Sequence, residues 1–232
     1  MTTANNNTDG RWDMRMAVGG MAAALAIGFL LGWDASLSGD RASWFTTRAA
    51  GIAAYLLLTM SVVWGLLTSS RLFIRLVKPP VTLEVHRAFS FIGIGATAVH
   101  GTALLFDKVV PYNILQVTLP FLSDYRPLAV AGGIFTAYLM VLLTWSFYVR
   151  TKIGGQKVWR AFHYSGFAAF LLATAHGVYS GSDISSVWVR AMFILAGAGV
   201  MFLTYVRVLG GRYVPVRAGA VETAAQAQRK AA

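Results

Sequence analysis

The chain has 232 residues, of which 56% are hydrophobic and 12% charged, a composition that excludes an ordinary soluble domain and indicates an integral membrane protein. It contains no cysteine, so disulfides, thiolate chemistry and iron–sulfur clusters ligated by this chain are excluded, and any cofactor must be held by nitrogen, oxygen or Met. The net charge of +11 does not indicate nucleic acid, because the basic residues stand singly at the ends of apolar runs, as in membrane loops.

Residues 1–13 are Asn/Thr-rich and read as a flexible cytoplasmic tail. The first apolar run, about 14–33, is longer than a signal-peptide core and ends without a clear small-residue cleavage site, so it is expected to be a retained span. A polar connection (34–48) leads to a second span, about 49–68. A basic loop (71–80) follows, closed by two prolines expected not to continue a helix. The third span, about 81–106, carries His86 and His100.

Residues 107–127 differ in kind. Pro111, Pro120 and Pro127 break the segment, while Ile114, Leu115, Val117, Leu119, Phe121 and Leu122 give it an apolar side, so it is expected to lie at the interface and cap what is beneath it. The fourth span is about 128–149, followed by the basic loop 150–157. The fifth lies in WRAFHYSGFAAFLLATAHG, from Trp159 to Gly177, and carries His163 and His176. A tight connection (181–185) leads to the sixth, about 186–209, and 210–232 is a polar, alanine-rich cytoplasmic tail. The expected fold is all-α: a polytopic six-helix transmembrane bundle over 14–209.

With six spans, both termini lie on one side. Placing there the tails, the loops after spans two and four, and Arg15, Arg87, Arg160 and Arg207 in the span ends that adjoin them gives that side fifteen of the 20 Lys and Arg, which makes it cytoplasmic. His86 and His163 then fall on the cytoplasmic half and His100 and His176 on the outer half.

These four are every histidine in the chain, and ionisable residues within spans are functional by default. Two histidines at matching depth on facing helices can ligate one haem iron from both faces, and two such levels, roughly 20 Å apart on a helix rising ~1.5 Å per residue, give two haems. The competing readings are hydrogen-bonded packing histidines and a histidine-based zinc or proton transporter; the latter normally recruits carboxylates, and no acidic residue lies deep in a predicted span. A 14-residue step returns nearly to one helix face and a 13-residue step does not. The helix from His163 to His176 is therefore expected to be kinked or rewound, with Gly166 as its weak point.

Gly93, Gly95 and Ala98 spell GxGxxA, but within an apolar helix, so the dinucleotide-binding reading fails its context. Gly93 and Gly95, with Ala96, Gly166, Ala168, Ala169, Ala173 and Ala175, leave room either for a flat macrocycle or for close helix packing.

The spacing His86-x13-His100 with His163-x12-His176, and WRAFHY after a basic loop, resemble the ferric reductase-like transmembrane domain shared by NADPH oxidases, ferric reductases and the haem subunit of bacterial methionine sulfoxide reductase systems. The resemblance covers about 49–209 and implies two haem b groups, the inner held by His86 and His163 and the outer by His100 and His176. Anionic propionates favour Arg. Arg87 and Arg160 are candidates at the inner haem, and Arg126, Arg190 and Lys108 at the outer, with membrane-surface roles as the alternative for each.

The sequence runs only about 25 residues beyond the sixth span, so no flavin or nucleotide domain of the NADPH oxidase kind is expected in it. The expected function is electron transfer across a bacterial cytoplasmic membrane as the haem subunit of a multi-component system. The donor would be a quinol or a separate flavoprotein docking on the basic face around Arg71, Arg75, Lys78, Arg150, Lys152 and Lys157. An extracytoplasmic acceptor would approach at 107–127. A flavin or quinone thus enters only through a partner or the membrane pool, and nucleic acid is not a partner. A structural subunit of a larger membrane complex without active haems is the other reading.

Overall fold

A computed structural model describes residues 42–69, 79–108, 110–152 and 154–209. The predicted tails, the first span and most of the basic loop before Pro79 lie outside the described residues. Among those described, helices and turns are the only regular structure. The helices are α1 (Ala42–Thr68), α2 (Pro79–Leu104), α3 (Ile114–Thr118), α4 (Pro127–Val149), α5 (Gly155–His163), α6 (Ser165–Ser180) and α7 (Val187–Leu209), with a 3-10 turn at Ser182–Ser185.

Three helices are long and apolar enough to cross a membrane: Ser43–Thr68 within α1, α4 and α7. The described residues are thus all-helical, and three of their helices mark a membrane protein. The third and fifth predicted spans fall short for different reasons. α2 is 26 residues long, but Glu84, Arg87 and its two histidines dilute its hydropathy. The fifth is two helices of 9 and 16 residues.

Boundaries moved where local chemistry was misjudged. Pro79 and Pro80 open α2 instead of closing a loop, because proline is pre-organised for the first helical positions, where its missing N–H costs nothing. α1 begins at Ala42, absorbing part of the predicted connection. Pro127 sits in the first turn of α4 for the same reason as the α2 prolines.

α1 packs chiefly on α2 and α4 chiefly on α6, and α6 and α7 both touch α1. Tyr55 joins these layers: it lies 4.6 Å from the Phe193 ring and 6.0 Å from that of Phe170, with its hydroxyl 3.2 Å from Thr174 Oγ1. A second cluster, Leu58, Ile94 and Met140, fills the middle of the bundle. There a Cβ on Gly93 would stand 3.2 Å from Met140 Cε and 3.4 Å from Leu57 Cβ, so Gly93 serves close packing. Several hydroxyls inside the bundle are satisfied within their own helices: Thr59, Thr97, Thr174 and Thr204 each donate to the carbonyl four residues back, at 2.7–2.8 Å. This is what an apolar surrounding demands of a polar group. The hydroxyls of Thr47, Ser165 and Ser180, by contrast, are buried without a partner among the described residues.

The outer faces are apolar. On α7, Trp188, Leu195, Met201 and Val208 are more than two-thirds exposed, a surface suited to lipid and far too apolar for water.

Residues 105–108 and 110–126 form an ordered lid. Asn113 and Gln116 form a reciprocal capping box that starts α3, and the Gln116 side chain donates to Asp124 at 2.9 Å. Tyr138 on α4 donates to the Thr118 carbonyl. At the far end Tyr125 donates to Ser180 O at 3.2 Å and Arg126 to Tyr179 O, capping the last turn of α6. Burial pushes the Tyr112 phenol above its ordinary pKa, opposed by a hydrogen bond with Ser123 and reinforced by Tyr125 and Asp107.

Candidate functional site: two histidine pairs

The structure brings the four histidines together in two pairs. His86 on α2 and His163 at the end of α5 have ring centroids 6.0 Å apart with planes at 72°. His100 on α2 and His176 on α6 are 6.2 Å apart at 81°. All four are partly buried.

Three of the rings are held in the same manner. His86 Nδ1 lies 2.9 Å from Ser61 O, His100 Nδ1 2.8 Å from Thr47 O, and His176 Nδ1 2.9 Å from Ala129 O. A main-chain carbonyl can only accept, so each Nδ1 carries the proton and each Nε2 keeps a lone pair. Each accepting carbonyl lies four residues before a glycine: Gly65, Gly51 and Gly133 respectively. In a helix that carbonyl already faces the glycine N–H, and the missing Cβ lets the imidazole reach it as well. A Cβ would stand 3.4 Å from His86 at Gly65, 3.0 Å from His100 at Gly51 and 2.8 Å from His176 at Gly133.

His163 is held differently. Its ring stacks on Trp159 at 4.9 Å and 28°, and its Nδ1 is buried without a hydrogen-bond partner among the described residues. The backbone beside it is rewound: Tyr164 N–H donates to Ala161 O at 3.3 Å, and Phe167 N–H to Tyr164 O at 3.1 Å, both three-residue closures. The break separating α5 from α6 thus falls at Tyr164, two residues before Gly166. Its consequence is the one the 13-residue step requires: His163 and His176 both reach partners on α2.

The two levels have different surroundings. His100 and His176 lie under the lid, where Val117 of α3 would be 3.5 Å from a Cβ on Gly101. Arg48, next to Thr47, pairs with Asp183 in the turn after α6 and lies 3.8 Å from the Trp44 ring centroid. His86 and His163 instead line a cavity of ≈ 450 Å³, within the ~300–1,000 Å³ of small-molecule sites. Arg87, Arg160 and Arg207 line it too, and among the described residues no acidic side chain does.

Among the sequence-predicted cations, Arg87 and Arg160 stand at this open level. Arg87 also bonds Glu84 at 2.9 Å and Tyr148 Oη at 3.4 Å. Arg126, in left-handed backbone at φ 45°, is engaged on the α6 terminus. Arg190 is exposed in the first turn of α7, and Lys108 is exposed at the edge of the lid. Arg207 was counted only as a positive-inside charge, yet it reaches the cavity, 3.5 Å from Tyr164 Oη. Nothing in the sequence places the end of α7 there. The glycine–carbonyl slots were missed as well, although a signal existed: Gly51 and Gly65 repeat at fourteen residues, as His86 and His100 do.

Among the described residues no group of three or more His, Asp or Glu converges on a metal-sized space. Each level offers two imidazoles alone. A bare zinc ion takes four ligands, whereas a metal that brings its own equatorial ring of four needs two. An imidazole nitrogen lies about 2 Å from a bound metal and about 1.1 Å from its ring centre, so a metal held from both sides sets centroids roughly 6 Å apart.

Comparison of the chain with protein-family models, with curated proteins and with solved structures returns no match.

Proposed function

We propose that this protein is a six-span membrane cytochrome b of the ferric reductase-like kind, carrying electrons across a bacterial cytoplasmic membrane between two bis-histidine haems. The observation that carries this reading is the pair of imidazole gaps, 6.0 and 6.2 Å, with three of the four Nδ1 protons committed to carbonyls away from the gap. Haem bound at each level supplies one-electron chemistry. The chain fixes tautomer and ring direction through Thr47 O, Ser61 O and Ala129 O, which keeps Nε2 available and raises its basicity. It excludes water at the lid level and supplies cations at the open level, where Arg160 and Arg207 join Arg87 as partners for carboxylates.

The basic side is then cytoplasmic, the lid faces outward, and the donor is a quinol or a separate flavoprotein. A histidine-based transporter is disfavoured by the donor set, which offers a bare ion too few ligands at either level.

The test is direct. Purified protein should carry two b-type haems per chain, both low-spin, and titrate in two one-electron steps. Protein expressed with ample haem that carries none refutes the reading.

A further inference from the structure

His163 is the exception among the four histidines, and the cause is visible on α4. The slots on α1, Thr47 with Gly51 and Ser61 with Gly65, repeat at fourteen residues. The same step along α4 from Ala129 and Gly133 reaches Leu143 and Phe147. Phe147 puts a ring where the slot needs a hydrogen atom, and the Leu143 carbonyl accepts the Ser146 hydroxyl at 2.7 Å. No slot exists for His163. Its Nδ1 is left unpartnered among the described residues, and the stack on Trp159 holds the ring instead.

The backbone under His163 is also the least constrained of the four. His86, His100 and His176 stand within continuous helices. His163 is the last residue of a nine-residue helix, bounded by the break at Tyr164 and, at its other end, by Gly154 and Gly155 at φ 100° and 78°. The face of α5 formed by Gln156, Trp159, Arg160 and His163 borders the ≈ 450 Å³ cavity that a haem at this level would occupy, so the freedom of His163 lies in its unpartnered ring and its short helix, not in spare volume. His176 has neither freedom: a carbonyl holds its Nδ1, and Gly133 lies against its ring.

We infer that the two levels differ in kind: His163 is an exchangeable ligand, and the open level admits a small neutral lone-pair donor, such as a diatomic gas, where the lid level does not. This rests on the bis-histidine reading. With haem bound at this level, the bond from His163 Nε2 to its iron would break as the bond from the donor forms; no electron would be transferred, and the imidazole would keep its lone pair. Leu143, Phe147 and Phe167 give a neutral donor an apolar approach, while Arg87, Arg160 and Arg207 on the same walls are the cations already assigned to the haem carboxylates.

The test is to titrate haem-loaded, chemically reduced protein with carbon monoxide, reading the optical and resonance Raman spectra of the wild type, His163→Ala and Gly133→Ala. In the wild type one of the two haems should shift. In His163→Ala the same single haem should shift with roughly ten-fold or greater gain in affinity, since an open fraction of about a tenth or less becomes one. Gly133→Ala, which crowds His176, should lower the occupancy of the second haem and make the fraction that stays bound reactive. If His163→Ala loses the open-level haem, the remaining haem should be inert to carbon monoxide. Two low-spin haems in the wild type with no shift, two reactive haems in His163→Ala, or a reactive sole survivor there overturns the inference and leaves bis-histidine ligation standing. A protein without haem overturns the reading beneath it instead.

Discussion

Gly133 on α4 lies against the imidazole of His176 on α6, so closely that a Cβ there would stand 2.8 Å from the ring. Alanine at this position favours an isolated helix by about 1 kcal/mol over glycine; any loss on substitution must therefore come from the displaced ring. Gly133→Ala and Gly51→Ala are expected to lower haem content from two towards one per chain. Gly65→Ala, where the same approach is 3.4 Å, should cost least. Haem-to-protein ratios that do not follow this order would remove the slots from the account of the site.

The pairing itself predicts which substitutions share a phenotype. His100→Ala and His176→Ala should affect one and the same redox transition, and His86→Ala and His163→Ala the other, because each pair frames one gap. Redox titration of the four single variants checks this. Any other grouping, or four unchanged low-spin spectra, contradicts it.

Much of this was legible in the sequence. Fourteen and thirteen residues are both close to four helical turns, so depth alone matches His86 with His163 and His100 with His176. α4 and α7 were found to within a residue because their apolar runs end sharply at Arg126 and Leu209. The rest depended on relations between helices. Whether Pro79 and Pro80 end a loop or begin a helix turns on the residues after them. That a carbonyl on α1 holds a histidine on α2 is a tertiary fact, announced only by two glycines at the histidines' own spacing. The break at Tyr164 followed from angular arithmetic as an event but not as a position, since Gly166, the weaker helix former, is accommodated without strain.

Arg48 and Asp183 tie the start of α1 to the turn beyond His176. Both side chains keep partial contact with solvent, so the pair contributes about 1 kcal/mol or less, with the stack of Arg48 on Trp44 adding a similar amount. Asp183→Asn should lower thermal stability in detergent slightly. Arg48→Ala should lower it more, because it removes both contacts. Equal losses from the two substitutions would show that the stack contributes nothing.

The lid depends on its capping box. Asn113→Ala removes the acceptor for Gln116 N–H, a bond of 3.0 Å, at a cost of about 1 kcal/mol. A five-residue helix has little else to hold it. Amide exchange over Ile114–Thr118 is expected to quicken by roughly five-fold, the factor equivalent to ~1 kcal/mol, with α4 and α6 unchanged. Exchange that quickens equally across α4 would instead mean that the lid and the bundle open as one unit.

Trp159 takes over at His163 the task that carbonyls perform for the other three rings. Its indole stacks on the imidazole, and its Nε1–H donates to Ser146 Oγ at 3.0 Å, which fixes the stacking plane from α4. Phe147 packs on its other side, edge to face at 5.9 Å. Trp159→Phe keeps an aromatic surface and loses the anchoring bond; Trp159→Ala loses both. The alanine variant should be destabilised by up to the ~3–5 kcal/mol typical of a large aromatic, less because the residue is only partly buried. Stability alone cannot separate positioning from packing, so the deciding measurement is the potential of the transition that His163→Ala removes. A positioning role requires that this potential shift in Trp159→Ala, shift less in Trp159→Phe, and leave the other transition in place. Equal shifts of both transitions, or none with the stability loss intact, would reduce Trp159 to a packing residue and leave His163 without any device to hold it.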